Sequence, residues 1–323
     1  MYEQYATPAP ARRTAEWRIA VGLLAAFAFA YASLFACADA RARTFSRVTI
    51  ASLDRDDGGA VQLHAILLLP DGPMPPGGFP AIVALHGCSG LYSSLKGHED
   101  RLSERLMARA DLLLGEGYAL VFPDSFETRG RREVCTIKSG ERTISPVQRR
   151  LDALGALAYL GTRPEIAHDR IALIGWSHGG SAALATINER DRDVAAFRSR
   201  NTAPFFRAAV AFYPGCKTAL GAGERYRPAV PTRIFIGALD DWTPAKTCVD
   251  LGVAMAARDE PLRVTVFPDS HHGFDGPGAT VVHRTDVPNG ANPGQGVHVG
   301  PNPDMREKAN AKLRAFLAQQ LRP

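Results

Sequence analysis

The chain is most easily bounded by what it lacks. No segment recurs at a fixed period, which excludes a solenoid or a propeller. Cysteine is sparse, five among 323 residues, and no pair has CxxC spacing, so the usual zinc and dithiol signatures are missing. No basic helix and no basic stripe interleaved with aromatics occurs, so the formal net charge of +5 and pI near 9.0 do not point to nucleic acid. Lysine is rare beside arginine and the charges are scattered. That pattern reads as a compositional preference for arginine, with a basic face for acidic partners as the alternative. No composition shift splits the body of the chain, and 46% hydrophobic with 22% charged residues is an ordinary globular mixture. A chain of this length can bury one large core.

The N-terminus departs from that mixture. Arg12, Arg13 and Arg18 precede an uncharged apolar run over 19–40 that ends Ala38-Asp39-Ala40. A basic start, an apolar stretch and an A-x-A terminus predict a secretory signal peptide over 1–40, leaving 41–323 as a single domain. Two alternatives share the pattern. The run is long enough to span a bilayer uncleaved, and the segment ending at Cys37 is similar to a lipobox. A membrane partner is expected only in those two cases. Every version exports the body of the protein into an oxidising compartment. There Cys88, Cys135, Cys216 and Cys248 form an even set suited to two disulfides. Four cysteines allow three pairings. Chain order favours Cys88 with Cys135 and Cys216 with Cys248, with four buried thiols as the bland alternative.

Apolar periodicity predicts an entry hairpin over 48–50 and 61–69, then buried strands over 81–87, 118–124, 170–175, 206–215, 232–240 and 262–269. Helical spacing appears over 99–116, 146–160, 178–189, 244–257 and 303–321. Residues 125–146 read as a polar loop. Residues 275–303, rich in Gly, Pro and Asn, read as a functional loop or a flexible surface insertion. Strands alternating with helices, many strands apolar on both faces, predict an α/β fold with a mostly parallel sheet covered on both sides.

In such sheets, sites form at the carboxyl ends of the strands. Ser177 sits in Gly175-Trp176-Ser177-His178-Gly179, between a strand and a helix. A nucleophile on so sharp a turn needs small neighbours, and the helix that starts there offers amide N–H groups to a developing negative charge. A merely structural glycine turn is the competing view. Asp240 closes the strand "IFIGALD" and is the candidate acid, with Asp241 as its rival and helix capping as the plain alternative. His272 follows the last strand in "FPDSHHGFDG" and is the candidate base; adjacent His271 must point elsewhere. The oxyanion would take backbone N–H groups from His178 and from Cys88, after "AIVALHG". Cys88 as a free nucleophile is the lesser reading, because no strand-to-helix turn presents it. His271, His272, Asp275, His283 and His298 include possible ligands, but their spacing matches no metal motif, so no metal is expected.

With these residues placed, the motifs "LHGCSG", "GYALVFPDSFETRG", "GWSHGG", "YPGC", "GALDDWTP" and "HHGF" resemble the dienelactone hydrolase family of the α/β-hydrolase superfamily, over roughly residues 60–321. The resemblance implies Ser177 as nucleophile, Asp240 as acid and His272 as base. The pairs "YPGC…DDWTPAKTC" and "HGC…RREVC" look like a secreted branch in which disulfides are expected. The enzymes that name the family carry a cysteine in the elbow, whereas this chain has Ser177. That difference turns the expectation from dienelactone toward a serine esterase acting on a small-molecule ester, with no cofactor. A peptidase or amidase on the same triad and a non-catalytic hydrolase-like binding protein are the alternatives. Three residues are candidate substrate contacts. Arg129 is read as a carboxylate partner or as a brace for the 125–146 loop. Trp176 is read as a pocket wall or as packing behind the elbow. Tyr92 is read as a pocket rim.

Overall fold

The protein is described from a computed structural model covering residues 44–56, 58–200 and 204–322. The expectations for residues 1–40, including the leader, Cys37 and the cleavage site at Ala38–Ala40, lie outside the described residues. Among the described residues no helix is long and apolar enough to cross a membrane.

The chain enters through an antiparallel hairpin, β1 (Thr44–Asp56) and β2 (Gly59–Leu69). On β2, Leu63 and Ala65 are buried while Gln62 and His64 face water, the alternation of a half-buried strand. The interior strands lose that alternation. β3 (Phe79–Leu85) is fully buried from Ala81 to Leu85, and every residue of β4 (Ala119–Pro123) is buried. β5 (Ile166–Trp176), β6 (Ala208–Phe212), β7 (Thr232–Gly237) and β8 (Leu262–Phe267) complete one sheet of order β1-β2-β4-β3-β5-β6-β7-β8. The pairs β1–β2 and β2–β4 are antiparallel, and all others are parallel.

The helices are α1 (Glu104–Gly115), α2 (Arg149–Leu160), α3 (His178–Thr186), α4 (Arg192–Arg200), α5 (Lys217–Gly221), α6 (Ala245–Ala256) and α7 (Pro303–Leu321). The crossover from β3 to β4 runs toward the hairpin, and those after β4 run away from it. Right-handed connections therefore put α1 on one face and α2, α3 and α6 on the other. Helix α7 joins α1, where Arg109 donates to Asn310 at 2.6 Å. The order of the sheet reverses at β3 and β5, so a crevice opens beyond their carboxyl ends.

Three expectations needed adjustment. Helix α1 starts at Glu104, because residues 93–101 turn back on themselves through Ser93 N–H to Arg101 O at 2.9 Å. Helix α3 stops at Thr186, and a separate helix, α4, follows it. Residues 275–303 hold two short antiparallel strands, β9 (Val282–Arg284) and β10 (Val297–Val299). That segment is tied to the body. His272 pairs with Val299, Gly300 N–H donates to His272 O at 3.0 Å, and Asn302 N–H donates to Phe274 O at 2.8 Å.

Candidate active site

Ser177 sits between the end of β5 and the start of α3, with φ 54° and ψ −115°. A non-glycine residue held there carries backbone strain, which persists only where the surroundings over-determine it. The surroundings here are close-packed backbone. A Cβ on Gly175 would lie 2.1 Å from Gly179 O, and one on Gly179 would lie 2.1 Å from Leu85 O. Both glycines are therefore steric requirements that let α3 begin directly against β3 and β5. Ser177 N–H donates to Phe212 O at 2.9 Å, which ties the turn to β6.

The structure brings the three distant side chains together. His272 Nε2 lies 2.9 Å from Ser177 Oγ, and His272 Nδ1 lies 2.9 Å from Asp240 Oδ2. Asp240 is 4% exposed and His272 is 3% exposed. An ionised carboxylate only accepts hydrogen bonds, so Nδ1 carries the imidazole proton and Nε2 is free to accept from the serine hydroxyl. Asp240 also performs the capping role, since Oδ1 accepts from Trp242 N–H at 3.0 Å and Thr243 N–H at 2.8 Å. The rings of Tyr213 and Trp242 flank His272, with centroids 4.6 and 4.7 Å away.

Asp241 turns outward. It accepts from His298 N–H at 2.8 Å, and its Oδ2 lies 2.7 Å from His298 Nδ1. Burial alone would raise its carboxyl, but the His298 contacts outweigh it and hold the group below the usual carboxylate range. His271 likewise points away, with Nδ1 3.1 Å from Leu239 O.

Ser177 opens on a cavity of about 490 Å³ whose walls include Cys88, His178, Arg142, Lys217, Tyr226 and Trp242. Both residues expected to offer oxyanion donors thus line the same cavity as the serine. Gly87 lies against the elbow, where a Cβ would meet Ser177 Cβ at 3.6 Å, an ordinary contact distance. Cys88 is bonded to Cys135, and Cys216 to Cys248. Cys88 is therefore not a free thiol, and its bridge fastens the turn after β3 to the 125–146 loop.

Two histidines at this wall, His86 and His178, are buried and neutral. Burial first, and the Arg149 charge second, lower both His86 and His178 well below the ordinary imidazole value. Ser125 N–H donates to His86 Nε2 at 3.2 Å, so His86 carries its proton on Nδ1 and gives it to Gly87 O at 2.8 Å.

The three expected substrate contacts stand elsewhere. Arg129 is a brace: its guanidinium donates to Asp54 and Asp152 at 2.8 Å each, and it does not line the cavity. The polar loop needed counter-charges, and the hairpin and α2 supply them. Trp176 packs behind the elbow, 1% exposed and stacked on Phe212, with Nε1–H donating to Asp275 at 3.0 Å. Tyr92 pairs with Leu102 and borders a different cleft with Arg47, His64 and Glu127. Among the described residues no group of three or more His, Cys, Asp or Glu side chains is arranged to hold a metal ion.

Two supports were not foreseen. Thr243 Oγ1 lies 3.1 Å from both Tyr213 O and Asp240 Oδ2 and 3.2 Å from His272 Nδ1. An aspartate followed three residues later by threonine, just before proline and a helix, is an Asx-turn signal that would have found it. Asp275, considered above only as a metal ligand, is fully buried and joins the base loop to the elbow. It accepts from Tyr213 Oη at 2.7 Å and Trp176 Nε1, and it pairs with Arg105 at 3.3 Å and Arg109 at 3.2 Å. Burial and the Asp275 charge push the Tyr213 phenol well above its ordinary value, so it remains a donor.

A sheet of this order, reversing where a serine sits on a strained strand-to-helix turn, defines an α/β-hydrolase. The chain belongs to the dienelactone hydrolase family, whose model matches residues 63–321. No curated protein matches it. Among solved structures it is similar to a dienelactone hydrolase from Anabaena variabilis, at 17% identity and TM-score 0.54 over 87% of this chain and 99% of that one. It is also similar to esterase 2 of Thermogutta terrifontis, at 18% identity and TM-score 0.54 over 86% and 96%. An acylaminoacyl peptidase from Pyrococcus horikoshii matches at 13% identity and TM-score 0.55, over 86% of this chain and 42% of that one.

Proposed function

We propose that the protein is an exported serine hydrolase that cleaves carboxylic esters through Ser177, His272 and Asp240. The carrying observation is the continuous line from Asp240 Oδ2 through His272 to Ser177 Oγ, 2.9 Å at each step. His272 Nε2 takes the serine proton as Oγ attacks the ester carbonyl. The N–H groups of Cys88 and His178 receive the tetrahedral oxyanion. Asp240 keeps the imidazole in the right tautomer and stabilises the imidazolium. His272 then protonates the leaving alcohol, and water, deprotonated by the same nitrogen, releases the acid.

The cavity volume falls in the range of small-molecule sites, which supports a small ester. Two disulfides and the leader pattern over 1–40 support export. The second reading, peptide or amide cleavage, is favoured by one observation: the fold is shared with acylaminoacyl peptidase.

The test compares parent and Ser177→Ala on short p-nitrophenyl esters and on the matching anilides. The parent is expected to take up a fluorophosphonate at Ser177 and to turn over the ester. The variant is expected to lose at least about 10⁴-fold in kcat. Ester turnover that survives in the variant overturns the assignment, and faster cleavage of anilide than of ester selects the peptidase reading.

A further inference from the structure

Arg149, the first residue of α2, is 0% exposed, yet among the described residues no carboxylate lies within 4.0 Å of its guanidinium. Its other partners are neutral. Nε donates to Ser125 Oγ at 2.9 Å, one terminal nitrogen donates to His86 O at 2.9 Å, and the same nitrogen lies 2.9 Å from His178 Nδ1. The second terminal nitrogen is buried without a hydrogen-bond partner. The ring of Phe126 lies 5.0 Å from its central carbon. The nearest acids act on it only through space, their hydrogen bonds going elsewhere: Asp152 to Arg129 and Ser52, and Asp124 to the N–H groups of Phe126 and Glu127. A buried charge is normally paired, so this one asks for a counter-ion.

Its location supplies one. The two groups that share one terminal nitrogen belong to the two segments that carry the candidate oxyanion donors. His86 O is on the peptide unit directly before the one that carries the Cys88 N–H, and His178 carries the other N–H. We propose that Arg149 is a positioning residue for the oxyanion site. It clamps the turn after β3 to the start of α3 and keeps positive charge beside both donors, and the tetrahedral oxyanion is its transient counter-ion. This rests on the esterase reading. Burial lowers the guanidinium to about 10, which leaves it charged at neutral pH.

The experiment uses the full chain with Arg149→Met and Arg149→Lys, and compares kcat and KM on a p-nitrophenyl ester per folded protein, with folding read from near-UV circular dichroism. Arg149→Met is expected to lose about 100-fold in kcat, the scale of a lost oxyanion donor, with KM within about threefold. Arg149→Lys, which keeps the charge but not the fork, is expected to recover about tenfold of that loss. Affinity for a trifluoromethyl ketone, which forms an oxyanion on the serine, is expected to fall in parallel with kcat. A per-fold kcat in Arg149→Met equal to the parent's overturns the proposal, as does a loss confined to the melting temperature. If neither variant folds, the parent decides: its solvent-protected arginine Nε–H resonance is expected to move when the trifluoromethyl ketone binds, and an unmoved resonance overturns the proposal. Ser177→Ala runs beside them. Turnover surviving there removes the esterase reading itself, whereas serine-dependent turnover indifferent to Arg149 removes only this assignment.

Discussion

The half of the site at the ends of β3 and β5 is built from backbone, and the half after β7 and β8 is built from side chains. Around Ser177 the tolerances are steric: Gly175 and Gly179 would meet carbonyl oxygens at 2.1 Å if either gained a Cβ. Around His272 the tolerances are polar: Asp240, Thr243, Tyr213 and Asp275 form a chain of hydrogen bonds and ion pairs. The difference teaches how each half fails. A close-packed turn has no partial state, because its neighbours cannot yield one at a time. A hydrogen-bond chain loses its members singly, at graded cost.

The sharpest break of that contrast is Gly179→Ala. The added methyl must push α3 off β3, so esterase activity is expected to vanish and a thermal melt to show a loss of about 3 kcal/mol or more. Should this variant keep even a tenth of the parent's kcat, the steric account of the elbow is wrong. Next comes Asp240→Asn, which leaves the fold but favours the wrong imidazole tautomer. Its kcat is expected to fall about 10⁴-fold, measurable at high enzyme concentration. Thr243→Val removes one hydroxyl from the polar half, and about 1 kcal/mol there corresponds to roughly a fivefold drop in kcat.

Asp241→Asn is expected to change kcat at neutral pH by less than about twofold, since its carboxylate serves His298 rather than His272. Its effect belongs to acid stability. Asp241 is held low when folded, so its contribution is complete above the unfolded carboxylate value and disappears as pH falls through the folded one. Melts from neutral to acid pH are expected to steepen less in Asp241→Asn than in the parent. A large kcat loss in that variant would instead reverse the choice between the two aspartates.

The backbone half was readable from sequence because its demands fall on neighbouring residues. Glycines on either side of a serine, between an apolar run and a helix-like run, state a steric need without reference to the rest of the chain. Asp240 and His272 were readable because each follows a strand, and strand ends converge in a parallel sheet. The residues that were misread or missed share a different property. Arg149 and Arg150 are adjacent and alike on paper, yet one is buried among His86, Ser125 and His178 while the other pairs with Asp191 at 3.0 Å. Arg129 could be read either as a ligand partner or as a brace, because Asp54 and Asp152, which make it a brace, lie in other elements. Residues 275–303 looked loose because glycine and proline dominate, whereas pairing with the base loop through Val299 and Gly300 gives them a place.

One bond ties the cavity wall to the neighbouring loop. Cys88 is at once a wall of the cavity and half of a cross-link that closes over 47 residues of sequence. Without that cross-link the turn after β3 keeps two ties, Val134 N–H to Cys88 O at 2.8 Å and Arg149 to His86 O at 2.9 Å, but loses its covalent bond to the 125–146 loop. On the esterase reading proposed above, mild reduction of the bridge is therefore expected to lower ester turnover before it unfolds the chain.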